Sequence, residues 1–289
     1  ILTNSRGFTA AQTEKAHKEI AEVVDQVAKE TGKEYLFISR SDSTLRGHYP
    51  LETTILKDEY EKNTGKKIDG EVLCPFFKEG GRFTIDDVHY VQYDDTLVPA
   101  AETEFAKDKT FGYTVSNLKE YVEEKTQGAY KKENVTAISL ENIRELNYDK
   151  IEEQLLAVED FNKVIVNAID YVDVKIFCVA LFRAMKKGKN FMFRTAAAIV
   201  KVMGGVSNQP LLTREQMVVK ETDNGGIIVV GSHTDKTTRQ MEKLRENKDI
   251  AFVELNATLV NDEAAFAEEV ERCLALEEEY ISSGKSVCV

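Results

Sequence analysis

No stretch of the sequence is apolar for long enough to cross a bilayer as a helix. A basic excess is also missing. Asp and Glu number 50 against 38 Lys and Arg, a formal net charge of -12. That balance argues against a nucleic-acid surface, which needs basic patches to meet the phosphate backbone. It leaves room for a local anion site, which needs only a few arginines and backbone N–H groups. Cysteine is scarce. Cys74, Cys178, Cys273 and Cys288 are widely scattered and form no C-x-x-C pair, so a structural zinc site is not expected. Cys74 and Cys178 sit in apolar runs and read as buried thiols, which suits a reducing, cytoplasmic setting. No signal peptide is visible, and no initiator methionine. The chain opens on Ile1-Leu2-Thr3 and closes on Ser286-Val287-Cys288-Val289, both strand-like, so it is expected to be a piece of a larger protein. Three familiar signatures are absent: G-x-x-x-x-G-K-[ST], G-x-G-x-x-G and G-x-S-x-G. The last two absences count against a generic dehydrogenase or hydrolase. Internal repeats and low-complexity tracts are absent as well.

What is present is a rhythm. Of the 289 residues 42% are hydrophobic and 30% charged, which fits a soluble globular chain with room for two domains. Residues 1–3 read as the end of a strand, and residues 8–30 as a helix with Thr9 at its N-cap. Residues 34–38 read as a second strand and residues 49–60 as a second helix. Strand, polar loop, helix, repeated, is the pattern of a parallel α/β sheet with crossover helices. Further strands are expected at 71–74, 135–140, 163–168 and 190–193, with helices at 115–125, 141–158 and 172–187. Residues 82–85 and 88–93 flank Asp86-Asp87 and suggest a hairpin arm. Asp86, Asp87 and His89 read as a charged turn and a strand-face histidine in preference to a metal site. The edge of the arm at 88–92 is a candidate pairing surface for a homodimer.

The loop Ser39-Arg40-Ser41-Asp42-Ser43-Thr44-Leu45-Arg46-Gly47-His48 lies between strand and helix, where open α/β sheets bind ligands. One carboxylate, two guanidinium groups and several hydroxyls suit a small, anionic, hydroxyl-rich ligand. A solvated loop with a local Asp42 or Ser43 turn is the plain alternative. The first polar loop, Asn4-Ser5-Arg6-Gly7, falls at the same sheet edge, so Arg6 and Arg46 are expected to face one crevice. Asn167 and Asp170 mark another strand end. Arg194 stands just before a helix start, which favours an anion, or alternatively forms a salt bridge with one of the many acids. Residues 213–225 lack periodicity and read as a linker between domains at 1–212 and 226–289. The second domain shows strands at 226–230 and 251–255 and helices at 235–245 and 262–282. A Gly231-Ser232-His233-Thr234 junction follows its first strand and is of the small-anion-cradle type.

Several of these stretches together resemble the four-carbon acid sugar kinase family, which includes threonate, erythronate and oxo-tetronate kinases. The stretches are Thr3-Asn4-Ser5-Arg6, Asp42-Ser43-Thr44-Leu45-Arg46-Gly47, and Cys74-Pro75-Phe76-Phe77 with Gly81-Arg82. Val88-His89-Tyr90-Val91, residues 102–108, Arg194-Thr195-Ala196-Ala197 and residues 231–240 extend the likeness in collinear order. The resemblance implies two α/β domains: a parallel-sheet, Rossmann-like, three-layer N-terminal domain for the sugar acid, and the start of a second for ATP. It implies phosphoryl transfer from ATP to a hydroxyl of the acid, with Mg2+. Ser5, Arg6, Asp42, Arg46, Arg82 and Arg194 are the implied substrate-binding residues, Asp42 also the candidate catalytic base, and Ser232 the nucleotide-contacting position. The family's D-D-x-T-G segment and its late glycine-rich loops are not found, so part of each ligand site is expected to be missing. A non-catalytic module that binds a small anion is the competing reading. Nucleic acid and membrane are not expected partners.

Overall fold

The computed structural model describes residues 1–218, 220–232 and 234–289. They form two compact units, Ile1–Asn208 and Gln209–Val289.

The first unit is built on a parallel sheet of β1 (Ile38–Arg40), β2 (Gly70–Cys74), β6 (Thr136–Ile138), β7 (Asn162–Val166) and β8 (Phe191–Thr195), in the order β1-β8-β2-β7-β6. Alternate residues of each strand must face opposite ways, and here both faces are apolar. Val72, Cys74, Val164, Val166, Phe191 and Phe193 enter one core, together with α4 (Leu140–Arg144), α5 (Tyr148–Leu156), α6 (Tyr171–Lys186) and α7 (Ala197–Met203). Leu73, Ile165 and Met192 enter the opposite cores, under α1 (Ala10–Thr31), α2 (Leu51–Thr64) and α3 (Leu118–Lys125). This is the three-layer α/β arrangement that buried parallel strands require. A small antiparallel sheet, β3 (Arg82–Ile85), β4 (Val88–Tyr93) and β5 (Thr96–Pro99), joins it through a bridge between Thr84 and Ala168.

The helix ends follow local chemistry. Thr9 and Gln12 form a capping box at the start of α1, and left-handed Gly32 ends it. Asp170 and Asp173 do the same for α6. Asp170 also pairs with Lys78, so its side chain is occupied in holding structure.

Several elements differ from expectation. Residues 1–3 form no strand, and Ile1 and Leu2 are exposed, because β1 pairs with β8 alone. The single helix expected over 141–158 is two, broken where Leu146 takes a left-handed backbone (φ 58). The candidate pairing edge at 88–92 is not an edge. β4 is the middle strand, hydrogen-bonded on both sides by β3 and β5, so no main-chain groups remain for a second copy there. Asp86 and Asp87, both at positive φ, make the hairpin turn. Asn167 exchanges hydrogen bonds of 2.8 Å with Asp87 through N–H and carboxylate, which pins that turn to the end of β7.

The second unit is a parallel sheet of β9 (Ile227–Ile228), β10 (Ile250–Phe252) and β11 (Ser286–Cys288), in the order β10-β11-β9. It carries helices α8 (Arg214–Met217), α9 (Asp235–Leu244) and α10 (Glu263–Ser282). Cys273, Leu276, Tyr280 and Ile281 of α10 pack on Ala251, Val253 and Val287. Among the described residues no helix is long and apolar enough to cross a membrane. The four cysteines are free and buried, and burial pushes the Cys74 and Cys178 thiols up to about 12.

Candidate functional site

The carboxyl end of β1 opens into a cavity of about 590 Å³, lined among others by Ser5, Arg6, Arg40, Asp42, Arg46 and Glu52. The two polar loops meet here. His48 Nε2 bonds the Phe8 carbonyl at 2.8 Å, and Arg6 reaches Asp42 at 3.3 Å. Asp42 is the centre. Arg46 grips it through Nε (2.9 Å) and Nη2 (3.3 Å), and Thr44 donates both its N–H (3.3 Å) and its hydroxyl. Burial by itself would raise the Asp42 carboxyl. The hydrogen bonds from Arg46 and Thr44 and the charges of Arg46 and Arg6 outweigh it and hold the group below the ordinary carboxylate value.

Arg46 is further steadied by the ring of Phe105, 4.9 Å away, and by Asp108 at 3.9 Å. Arg82 lies across the same ring at 5.2 Å, donating to the Gly80 carbonyl. Burial lowers its pKa, and the Asp42 charge works the other way. Ser5 is brought in by a short turn and donates to Glu52 Oε1 at 2.9 Å.

Arg194 is not brought to the cavity. It lies within β8, 5% exposed, with Nη1 on Glu52 Oε2 at 3.2 Å and its plane over Tyr49 at 4.8 Å. The expected anion-binding role gives way to a buried salt bridge. Glu52 sits at the start of α2 and faces both Ser5 and Arg194, so it links a loop side chain to the sheet. The sequence reading missed Glu52. Its signal was an acidic residue in the first turn of a helix after a polar loop, which a helix dipole alone would also explain.

In the second unit Ser232 follows β9. Its hydroxyl lies 2.9 Å from that of Thr237 and 3.3 Å from that of Thr234, the N-cap of α9. His233, in the same predicted run, falls outside the described residues. Among the described residues no group of three His, Cys, Asp or Glu side chains could hold a metal ion.

Residues 1–203 match the family model described as a sugar-binding N-terminal domain, and residues 227–289 the one described as a nucleotide-binding C-terminal domain. The chain belongs to the four-carbon acid sugar kinase family. The Asp42 cavity therefore lies in the family's sugar-binding domain and the Ser232 cluster in its nucleotide-binding domain. Two solved structures share the fold. Protein HI1011 of Haemophilus influenzae, of the family DUF1537, aligns at TM-score 0.56 and 18% identity, over 98% of this chain and 62% of that one. A Salmonella typhimurium LT2 protein, provisionally named a tRNA synthase, aligns at TM-score 0.61 and 15% identity, over 99% of this chain and 62% of its own. This chain thus spans 62% of the length of either structure. No curated protein matches it.

Proposed function

We propose that the protein is an ATP-dependent kinase that phosphorylates a hydroxyl of a four-carbon sugar acid of the threonate, erythronate or oxo-tetronate type. One observation carries the reading: at and around the cavity wall four guanidinium groups, Arg6, Arg40, Arg46 and Arg194, stand against three carboxylates, Asp42, Glu52 and Asp108. The surplus positive charge suits an anionic ligand, and a guanidinium fork pairs bidentately with a carboxylate. Arg46 and Arg6 are assigned to the acid's carboxylate, Ser5 to a hydroxyl, and Arg82 to the surrounding positive field.

Asp42 is assigned the role of holding Arg6 and Arg46 in place. A general base works best with a pKa near the operating pH. Asp42 is held low, and its oxygens are already engaged by Arg6, Arg46 and Thr44. This reading replaces the catalytic-base assignment.

For the nucleotide, the exposed hydroxyl of Ser232 and the half-buried hydroxyls of Thr234 and Thr237 at the start of α9 fit phosphate oxygens. Mg2+ takes most of its ligands from phosphates and water, and when bound it neutralises charge on the transferred group. No residue of the chain is assigned to it.

The test is full-length protein with ATP, Mg2+ and a panel of threonate, erythronate and oxo-tetronate, read by 31P NMR for a sugar-acid phosphate. Product from one of them is expected. Binding without product would instead support a non-catalytic sugar-acid module. Arg46→Ala is expected to raise the KM for the acid or abolish turnover, with the circular dichroism spectrum unchanged. Unaltered kinetics would remove Arg46 from the site.

A further inference from the structure

Four successive carbonyls of the Asp42 loop are each taken by a buried donor from elsewhere in the first unit. His89 Nε2 meets Ser43 O at 2.8 Å, and the Tyr113 hydroxyl meets Thr44 O at 2.9 Å. The Tyr121 hydroxyl meets Leu45 O at 2.7 Å, and Arg194 Nη2 meets Arg46 O at 3.3 Å. The donors come from β4, the segment before α3, α3 itself and β8. All four are buried, with 0–5% exposure. The histidine tautomer follows from its partners. A carbonyl can only accept, so Nε2 carries the proton, and Nδ1 accepts from the Thr84 hydroxyl at 3.0 Å. Burial drives the His89 pKa down to about 4, which keeps the ring neutral.

The direction of these peptides matters. The peptides of the loop are trans, so each N–H points opposite to its own C=O. With the carbonyls of 43–46 turned into the protein, the N–H groups of 44–47 turn the other way. The first two close on Asp42: Thr44 N on its carboxylate and Leu45 N on its carbonyl, each at 3.3 Å. The N–H groups of Arg46 and Gly47 meet no acceptor among the described residues, and both residues line the 590 Å³ cavity.

We propose that His89, Tyr113 and Tyr121 are positioning residues, which together with Arg194 turn four peptide dipoles so that an anion in the cavity meets N–H groups and the Arg46 guanidinium and not carbonyl oxygens. The ligand class rests on the sugar-acid reading above; the loop geometry does not. A carbonyl released toward the cavity would set negative partial charge against the ligand's carboxylate. Arg194 shares the task while also pairing with Glu52.

Tyr121→Phe and Tyr113→Phe remove one hydroxyl each and keep the ring packing. The test measures backbone amide exchange at residues 46 and 47, and the affinity for threonate and erythronate, with ATP affinity as the internal control. Loss of one buried donor is expected to speed exchange of those amides and to weaken acid binding by about tenfold. ATP affinity should stay within about twofold. His89→Gln, which retains an N–H donor, is expected to preserve acid affinity that His89→Leu loses. Wild-type amide exchange in Tyr121→Phe would overturn the proposal. So would wild-type acid affinity in both Phe variants while Arg46→Ala loses it. If the wild-type protein binds neither of these acids nor an oxo-tetronate, the sugar-acid reading fails, and the exchange rates alone decide the loop assignment.

Discussion

Two charged clusters in the first unit use similar residues to opposite ends. At the carboxyl end of β1, Asp42 is 17% exposed and faces Arg46 and Arg6, the latter 53% exposed. In the middle of the sheet, Glu71 of β2 and Lys163 of β7 stand side by side in register, at 2.8 Å, with side chains 0% and 1% exposed. Phe161 and Tyr130 cap the ammonium at 3.5 and 4.1 Å, and the Tyr49 hydroxyl sits 3.4 Å from Glu71. The sealed cluster is balanced, one charge against one. The open cluster, counted with Arg40, Asp108 and the Glu52–Arg194 pair beside it, carries four guanidinium groups to three carboxylates. A sealed pair has no field left for a ligand, and its worth lies in the penalty for breaking it. An open, unbalanced cluster keeps a positive field where a small anion can reach it. Exposure and charge balance, taken together, separate a structural ion pair from a binding site.

The largest effect that would break this contrast is at the sealed pair. Lys163→Met leaves the Glu71 carboxylate buried alone and is expected to destabilise the fold by about 3–5 kcal/mol. Adding Glu71→Leu should recover most of that loss. Urea denaturation of the single and double variants measures both, and a single variant within about 1 kcal/mol of wild type would end the distinction. At the open cluster, Asp42→Asn is expected to cost about 1.5–3 kcal/mol near neutral pH, since it weakens charged hydrogen bonds. The sign with pH follows from the lowered pKa. The contribution of Asp42 is complete well above its ordinary value of 3.8 and is lost as pH falls through the still lower folded value. The stability gap between wild type and Asp42→Asn should therefore close below about pH 4, and a gap independent of pH would count against the ion pairs. The smallest effect is expected in the other unit. Ser232→Ala removes one exposed hydroxyl and should weaken nucleotide binding about threefold, with acid binding unchanged. Equal loss of both ligands would show that Ser232 acts on the fold.

The sequence pattern carried the parallel sheet well, because short apolar runs and the polar loops at their ends are local signals. It also placed Arg6 and Arg46 at one edge, since parallel strands align their carboxyl ends. What it left out depends on partners distant in the chain. Arg194 stands before a helix start in either environment, and only Glu52, 142 residues away, makes it a buried pillar. Lys163 opens an apolar run as a surface lysine would, and only Glu71 explains its burial. β5 lay hidden in a stretch of mixed propensity because its strand character comes from pairing with β4. The break at Leu146 needed a left-handed backbone at a residue that does not favour one.

The phenols and imidazole that clasp the Asp42 loop bear on how the protein would respond to its surroundings. The His89 ring takes up a proton only near pH 4, and burial raises the Tyr121 hydroxyl to about 12. Tyr113 is likewise raised by burial. Between those limits nothing in the clasp titrates. A pH optimum within that span belongs to the ligand, the nucleotide or other side chains, because the clasp itself cannot be opened by acid or base over the range in which cells live.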